Sequence, residues 1–154
     1  MNTQPLNVLL ADDDIDDCLF FKQALTELKL DTRLTTVHDG EQLMDIITRD
    51  EALIPYIIFL DLNMPRKNGF ECLTEIKHNP QLKTTIVIFS TSFEQEVVNR
   101  LYDNGANYFV RKPVEFSQFK KIIKQTFAKL LIPNNDLQPL RENFVVTLQN
   151  SLII

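Results

Sequence analysis

Three carboxylates stand directly after short apolar runs, where side-chain chemistry could gather. Asp12 and Asp13 follow the run at residues 6–11, and Asp61 follows the run at residues 56–60. Carboxylates that are forced together repel one another and take up protons unless a cation joins them. An all-oxygen set without His or Cys suits a hard cation such as Mg²⁺, which keeps several waters beside one or two carboxylates. These residues therefore predict a magnesium site.

A hydroxyl and a lysine follow two further apolar runs. Ser90 comes directly after residues 86–89, and Lys112 comes two residues after residues 108–110. A lysine ammonium is a mobile point charge that pairs with phosphate oxygens, and a serine hydroxyl donates a hydrogen bond. Carboxylates, metal, lysine and hydroxyl together describe a site for a transferring phosphoryl group. In such a site Asp61 can act as the nucleophile and form an aspartyl phosphate.

These residues come together only if the chain alternates strands with helices. Short apolar runs, each followed by a segment of helical periodicity, predict that alternation. The predicted strands cover residues 6–11, 34–37, 56–60, 86–89 and 108–110. Such alternation implies a parallel α/β sheet with helices on both faces. Ligands bind this kind of sheet outside the carboxyl ends of its strands, which is where the polar residues above would lie.

Four stretches of the sequence resemble the motifs of response-regulator receiver domains. They are VLLADDD at 8–14, IIFLDLNMP at 57–65, IVIFST at 86–91 and FVRKP at 109–113. Each motif alone is weak, but together they follow the family's order and spacing, each at a predicted strand end. The resemblance implies a flavodoxin-like (βα)5 doubly wound fold, whose five-stranded parallel sheet has the order 2-1-3-4-5.

The resemblance also implies a metal site and a modified residue. Asp13 would be the closer Mg²⁺ ligand, and Asp12 would act through water. Asp61 would be both a metal ligand and the phosphoacceptor, becoming 4-aspartylphosphate. The backbone carbonyl of Asn63 would complete the protein ligands.

Three further residues receive roles from the same resemblance. Lys112 would pair with the phosphoryl group, aimed by a cis Lys112–Pro113 peptide bond. Ser90 would be the switch hydroxyl and Phe109 the switch aromatic. An ordinary core position for Phe109 is an equal alternative.

The remaining aspartates of the first motif have a simpler interpretation. Asp14, Asp16 and Asp17 follow the predicted metal ligands at the start of a predicted helix. Carboxylates are favoured near the positive end of the helix dipole. We therefore predict that these three residues are a solvated helix start without a role in the site.

Length and composition indicate one soluble domain. The chain has 154 residues, and its net charge of −5 argues against general nucleic-acid binding, which requires a concentrated basic surface. No apolar stretch approaches the roughly 20 residues that span a bilayer, and the N-terminus lacks the features of a signal peptide. We expect a cytoplasmic protein with no nucleic-acid or membrane partner.

The receiver pattern accounts for residues 1–132 and leaves residues 133–154 as a C-terminal extension, too short for a separate domain. The extension ends in an apolar cluster: Phe144, Val145, Val146, Leu148, Leu152, Ile153 and Ile154. Its β-branched residues favour an extended segment that either adds to a sheet edge or lies across a neighbouring subunit in a homodimer. The alternatives are a frayed chain end and packing against the protein's own helices, which would hide the same residues without a partner.

The function implied by the resemblance is that of a phosphoacceptor response regulator in two-component signalling. A sensor histidine kinase or a histidine phosphotransfer protein would phosphorylate Asp61, and phosphorylation would switch contacts with a downstream protein. The chain would be a signalling domain and not an enzyme, apart from its own phosphoryl transfer and autodephosphorylation. An intermediate in a phosphorelay is the alternative within this class.

Other function classes fit the motifs less well. A haloacid-dehalogenase-type phosphatase requires a second aspartate two residues after its nucleophile, and this chain has Asn63 there. A flavodoxin-type flavin carrier cradles phosphate in its first loop, where three aspartates would repel it. A P-loop nucleotidase lacks its glycine-rich motif here. A receiver-like module with an inactive site is disfavoured because the whole residue set is present.

Overall fold

The computed structural model describes residues 4–49, 54–132 and 138–148. Its strands are β1 (Leu6–Ala11), β2 (Thr32–Val37), β3 (Ile57–Leu60), β4 (Thr85–Ser90), β5 (Tyr108–Arg111) and β6 (Val145–Val146). Its helices are α1 (Ile15–Glu27), α2 (Gly40–Arg49), α3 (Gly69–Lys77), α4 (Gln95–Asp103) and α5 (Phe116–Leu130). A 3₁₀ turn, Arg141–Asn143, precedes β6. None of the described helices combines the length and apolar character needed to cross a bilayer.

All strands belong to one parallel sheet with the order β2-β1-β3-β4-β5-β6. The first five strands follow the predicted order, which confirms the flavodoxin-like topology. The predicted number of strands, five, is one too few among the described residues, because β6 adds to the sheet by pairing with β5. A two-residue strand is too short to show any alternation of apolar and polar residues, so its pairing is decided by tertiary contacts.

The strand boundaries differ from the predicted ones by one or two residues. β2 begins at Thr32, which pairs with Leu6, whereas the apolar pattern begins only at Leu34. This strand lies at the edge of the sheet and has several exposed side chains, so its polar residues still form the ladder. Polar residues at a sheet edge weaken the sequence signal for a strand without weakening its backbone hydrogen bonds.

Alternate strand residues pack into two cores on opposite faces of the sheet. Helices α1 and α5 cover one face, which contains interlocking phenylalanine rings with centroids 4.8 to 6.1 Å apart. These rings belong to Phe21, Phe59, Phe89, Phe119 and Phe127. Helices α2, α3 and α4 cover the other face through aliphatic side chains. With both faces covered, the polar ends of the strands are left as the place for ligands.

The C-terminal segment 138–148 packs against α4 and β5 of the same chain. Phe144 is buried, and its ring lies edge-on to Tyr102 at 5.2 Å between centroids. The Tyr102 hydroxyl donates to the Pro139 carbonyl at 2.7 Å, and Arg141 pairs with Asp103 at 2.5 Å. The sheet-edge alternative for this segment is therefore correct. The predicted apolar residues Leu152, Ile153 and Ile154 lie outside the described residues.

Candidate functional site

The carboxyl ends of β1 and β3 bring the three predicted metal ligands together. Oxygen atoms of Asp12, Asp13 and Asp61 all lie within 4.8 Å of one another. Asp12 and Asp61 are buried because each directly follows a buried strand, and Asp13 is exposed. The cluster contains oxygen donors alone, which fits a hard divalent cation better than a soft one.

Backbone groups hold the Asp12 carboxylate in place. Its Oδ1 accepts a hydrogen bond from the backbone N–H of Asp14 at 2.9 Å. The backbone N–H of Asp12 donates to the Val37 carbonyl at 3.0 Å, which ties the loop to the end of β2. Asp14 caps α1 by accepting a 3.2 Å hydrogen bond from the backbone N–H of Asp17. The start of α1 therefore positions the carboxylate cluster.

Lys112, one residue beyond β5, brings a positive charge into this cluster. Its Nζ lies 2.5 Å from Asp12 Oδ2, 3.0 Å from Asp17 Oδ2 and 3.6 Å from Asp61 Oδ2. The lysine side chain is only 4% exposed, so these contacts are shielded from water. Ion pairs with so little exposure are much less screened than surface pairs.

Burial changes the protonation of the cluster. Burial raises the pKa of Asp61 from 3.8 to about 7, and repulsion from Asp12 adds to this, although Lys112 opposes it. Burial also raises the pKa of Asp12. Burial alone would lower the pKa of Lys112, but attraction to Asp12 and Asp61 raises it above its ordinary value. Two buried acids with raised pKa values beside one lysine indicate that the site favours additional positive charge.

Ser90 lies at the end of β4 and is buried. The backbone N–H of Lys112 donates to its carbonyl at 2.8 Å, so the hydroxyl-bearing residue and the lysine are adjacent across β4 and β5. The Ser90 Oγ accepts a hydrogen bond from the backbone N–H of Ser92 at 3.2 Å. The sequence-based placement of Ser90 at the same sheet edge as Asp61 agrees with this arrangement.

Asn63 and Phe109 occupy different surroundings. Asn63 is exposed in the loop after β3, and its backbone N–H lies 3.4 Å from Asp61 Oδ1.

Phe109 is fully buried in β5. The centre of its ring lies 5.7 Å from that of Phe93 and 6.5 Å from that of Phe144. Its core position agrees with one of the two predicted interpretations, and a switching role remains a prediction.

The predicted cis peptide bond is wrong. The Lys112–Pro113 bond is trans, as are the other peptide bonds of the described residues. The trans form is favoured by about 0.5–1 kcal/mol before any tertiary contact is considered. With this trans bond the Lys112 ammonium still lies beside the carboxylates of Asp12 and Asp61. Its orientation towards them therefore does not require the cis form.

Two residues of the site were missed by the sequence-based interpretation. Asp17, assigned there to a solvated helix start, forms an ion pair with Lys112, whereas Asp16 is exposed as predicted. Gly69 begins α3 against the loop after β3, and a Cβ there would lie 2.3 Å from the backbone oxygen of Asp61. No helical spacing in the sequence identifies Asp17, because Asp12, Asp13 and Asp14 precede α1 and the neighbouring Asp16 is exposed.

Comparisons with known proteins identify the family of the chain. The family model described as "Response regulator receiver domain" matches residues 8–124. The chain is 30% identical over 128 residues to a probable chemotaxis protein CheY of Rhizobium etli, covering 82% of this chain and 96% of that protein. It is also 30% identical over 125 residues to the response regulator Rcp1 of Synechocystis sp., covering 78% of this chain and 85% of that protein.

Solved structures share the fold. The phosphorylated cyanobacterial phytochrome response regulator RcpA has a TM-score of 0.77 and 30% identity, covering 82% of this chain and 94% of that chain. The Mn(2+)-bound form of response regulator Rcp1 has a TM-score of 0.75 and 28% identity, covering 84% of this chain and 96% of that chain. With an acidic cluster at the carboxyl ends of β1 and β3 and a matching family model over most of its length, this chain belongs to the response regulator receiver domain family of two-component systems.

Proposed function

We propose that this receiver domain is phosphorylated on Asp61 in a Mg²⁺-dependent reaction. The observation that carries the proposal is the Asp61 carboxylate at the end of β3, within 3.6 Å of the Lys112 ammonium. A carboxylate oxygen of Asp61 attacks the phosphorus of the donor and forms the new O–P bond. The P–N bond of a phosphohistidine breaks, and the leaving imidazole takes the electron pair and a proton.

Asp12, Asp13, Asp61 and the Asn63 carbonyl would hold the cation. The fit rests on the three oxygen donors within 4.8 Å and on the raised pKa of the two buried acids. A bound Mg²⁺ supplies charge neutralisation, without which an anionic donor would meet the repulsion of the carboxylates. The Mn(2+)-bound form of the similar protein Rcp1 supports a divalent cation in this family.

Lys112 and Ser90 bind the phosphoryl group in this proposal, both during its transfer and in the product. The ammonium pairs with an oxygen of the new phosphoryl group, and the Ser90 hydroxyl turns from the Ser92 amide to donate to another. Phe109 lies two residues before Arg111, the last residue of β5, and its ring packs near those of Phe93 and Phe144. Its packing offers a route by which the phosphorylated site changes the surface of α4 and β5.

The partners follow from the family. We propose that a sensor histidine kinase or a histidine phosphotransfer protein donates the phosphoryl group and that a downstream protein recognises the product. A role as a relay intermediate would use the same chemistry in the opposite direction. We also propose a cytoplasmic location, to which the free, buried Cys18 and Cys72 are suited.

The proposed domain division is a receiver at residues 1–132 and an extension at residues 133–154 without a core of its own. The pairing of β6 with β5 supports treating the extension as part of the same sheet. A homodimer through this edge is also proposed, supported by the exposed Leu148 beside β6. Light scattering of the full chain should give a dimer that Leu148→Glu weakens, and a monomer at all concentrations would contradict it.

Intact mass tests the phosphorylation directly. Incubation with acetyl phosphate and Mg²⁺ should add one phosphoryl group, and EDTA or Asp61→Asn should prevent it. Asp16→Asn is the matched control, because it removes the same charge from an exposed position near the site. Undiminished labelling of the Asp61→Asn protein would refute the assignment. Turnover of phosphate esters would instead support the phosphatase alternative.

A further inference from the structure

The Lys112 ammonium is anchored by two carboxylates from different elements. An ammonium has three N–H donors. One is taken by Asp12 at 2.5 Å and a second by Asp17 at 3.0 Å. Asp61 lies at 3.6 Å, an ion-pair distance beyond an ordinary hydrogen bond. Two donors are thus committed to fixed oxygens, and the third is left for the side where Asp61 lies.

Asp17 stands apart from the metal cluster. It belongs to the first turn of α1, whereas the clustered carboxylates are Asp12, Asp13 and Asp61. Its backbone is held by the N-cap hydrogen bond to Asp14, and its side chain is 22% exposed. The carboxylate therefore reaches Lys112 from a rigid helix start and not from a mobile loop.

We propose that Asp17 is a positioning residue, which orients the Lys112 ammonium so that its free proton faces the phosphoryl group on Asp61. This inference rests on the proposed phosphorylation of Asp61. A lysine side chain has a flexible four-carbon stem, and a single anchor at Asp12 would let the ammonium rotate. A second anchor from α1 removes that freedom, and preorganised donors stabilise a transferring phosphoryl group better than mobile ones.

An ordinary surface ion pair would not have this effect. Exposed pairs contribute little because water competes with them. The Lys112 side chain, however, is only 4% exposed, and its ammonium lies 5.5 Å from the centre of the Phe89 ring. The Phe89 ring and the carboxylates of Asp12, Asp17 and Asp61 surround the ammonium. Of these residues, Asp17 is the one that belongs to α1, and through it the helix fixes the position of the Lys112 ammonium.

The test compares rates of phosphorylation by acetyl phosphate at saturating Mg²⁺ in full-length variants. Asp17→Ala should slow phosphorylation about fivefold, equivalent to about 1 kcal/mol of barrier. Asp17→Asn should stay within about twofold of wild type, because an amide oxygen still accepts a hydrogen bond from the ammonium. Asp16→Ala, the matched charge control, should react at the wild-type rate. The Mg²⁺ concentration giving half the maximal rate should be the same in Asp17→Ala and Asp16→Ala.

The outcomes separate this inference from the proposed function. If wild type is not labelled at Asp61, the proposed function fails and the role of Asp17 fails with it. If wild type is labelled but Asp17→Ala is phosphorylated as fast as wild type, only the role of Asp17 is overturned. The same holds if Asp17→Ala is slowed no more than Asp16→Ala. Should Asp17→Ala not fold, Asp17→Ser is equally too short to reach Lys112 and must show the same slowing.

Discussion

Replacing Asp61 with asparagine should stabilise the metal-free protein at high pH. Asp61 is 6% exposed, and burial beside Asp12 raises its pKa to about 7. In the unfolded chain the pKa returns to about 4. Between these values the folded protein binds more protons than the unfolded one, so the stability due to this group falls as the pH rises towards 7. Asparagine has nearly the same shape and cannot ionise.

The magnitude follows from the pKa difference. At about pH 5 the folded pKa lies roughly two units above the pH, and each unit corresponds to about 1.4 kcal/mol. Between about pH 5 and about pH 8.5, wild type should lose about 3 kcal/mol of unfolding free energy relative to Asp61→Asn. Lys112 keeps its contacts with Asp12 and Asp17 in the variant. Losing the 3.6 Å ion pair with Asp61 therefore cancels little of the stability that Asp61→Asn gains at high pH.

Urea denaturation in EDTA at a series of pH values measures this difference. The difference curve between the two proteins reports Asp61 together with its repulsion from Asp12, because the titrating groups outside this cluster are common to both. Mg²⁺ should then stabilise wild type more than Asp61→Asn, since at a given concentration a ligand stabilises the folded state more when it binds more tightly. A difference that stays constant between about pH 5 and about pH 8.5 would refute the buried, destabilising carboxylate.

Three further outcomes are expected. Phe144→Ala should release the C-terminal segment and speed hydrogen exchange of the Phe109 amide, which donates to the Phe144 carbonyl; the exposed Leu140→Ala is the control, and equal exchange in both would contradict the packing. Gly69→Ala should cost about 1–3 kcal/mol in unfolding free energy and slow labelling of Asp61, because its Cβ would press on that residue's backbone oxygen; a normal melting temperature and labelling rate would argue against this close approach. Random duplex DNA should not bind at physiological ionic strength, given the net charge of −5, and salt-dependent binding in fluorescence anisotropy would overturn that expectation.

The sequence by itself determined the sheet and the position of its polar edge. Strands buried on both faces require continuous apolar runs, so the strand ends are visible where Asp12, Asp61 and Ser90 interrupt them. In a parallel sheet these ends lie at one edge, which is why residues 49 positions apart in sequence could be assigned to one site. Local pattern and fold-level geometry are enough for that inference.

Tertiary structure alone decided the contacts that depend on side-chain reach. Asp17 meets Lys112 across 95 residues of sequence, and nothing in a run of aspartates distinguishes it from the exposed Asp16. The pairing of β6 with β5 depends on the burial of Phe144 against Tyr102. A two-residue strand such as β6 and a single charged residue such as Asp17 carry no periodic signal in the sequence. Both are stabilised by contacts with residues that come close only in the folded protein.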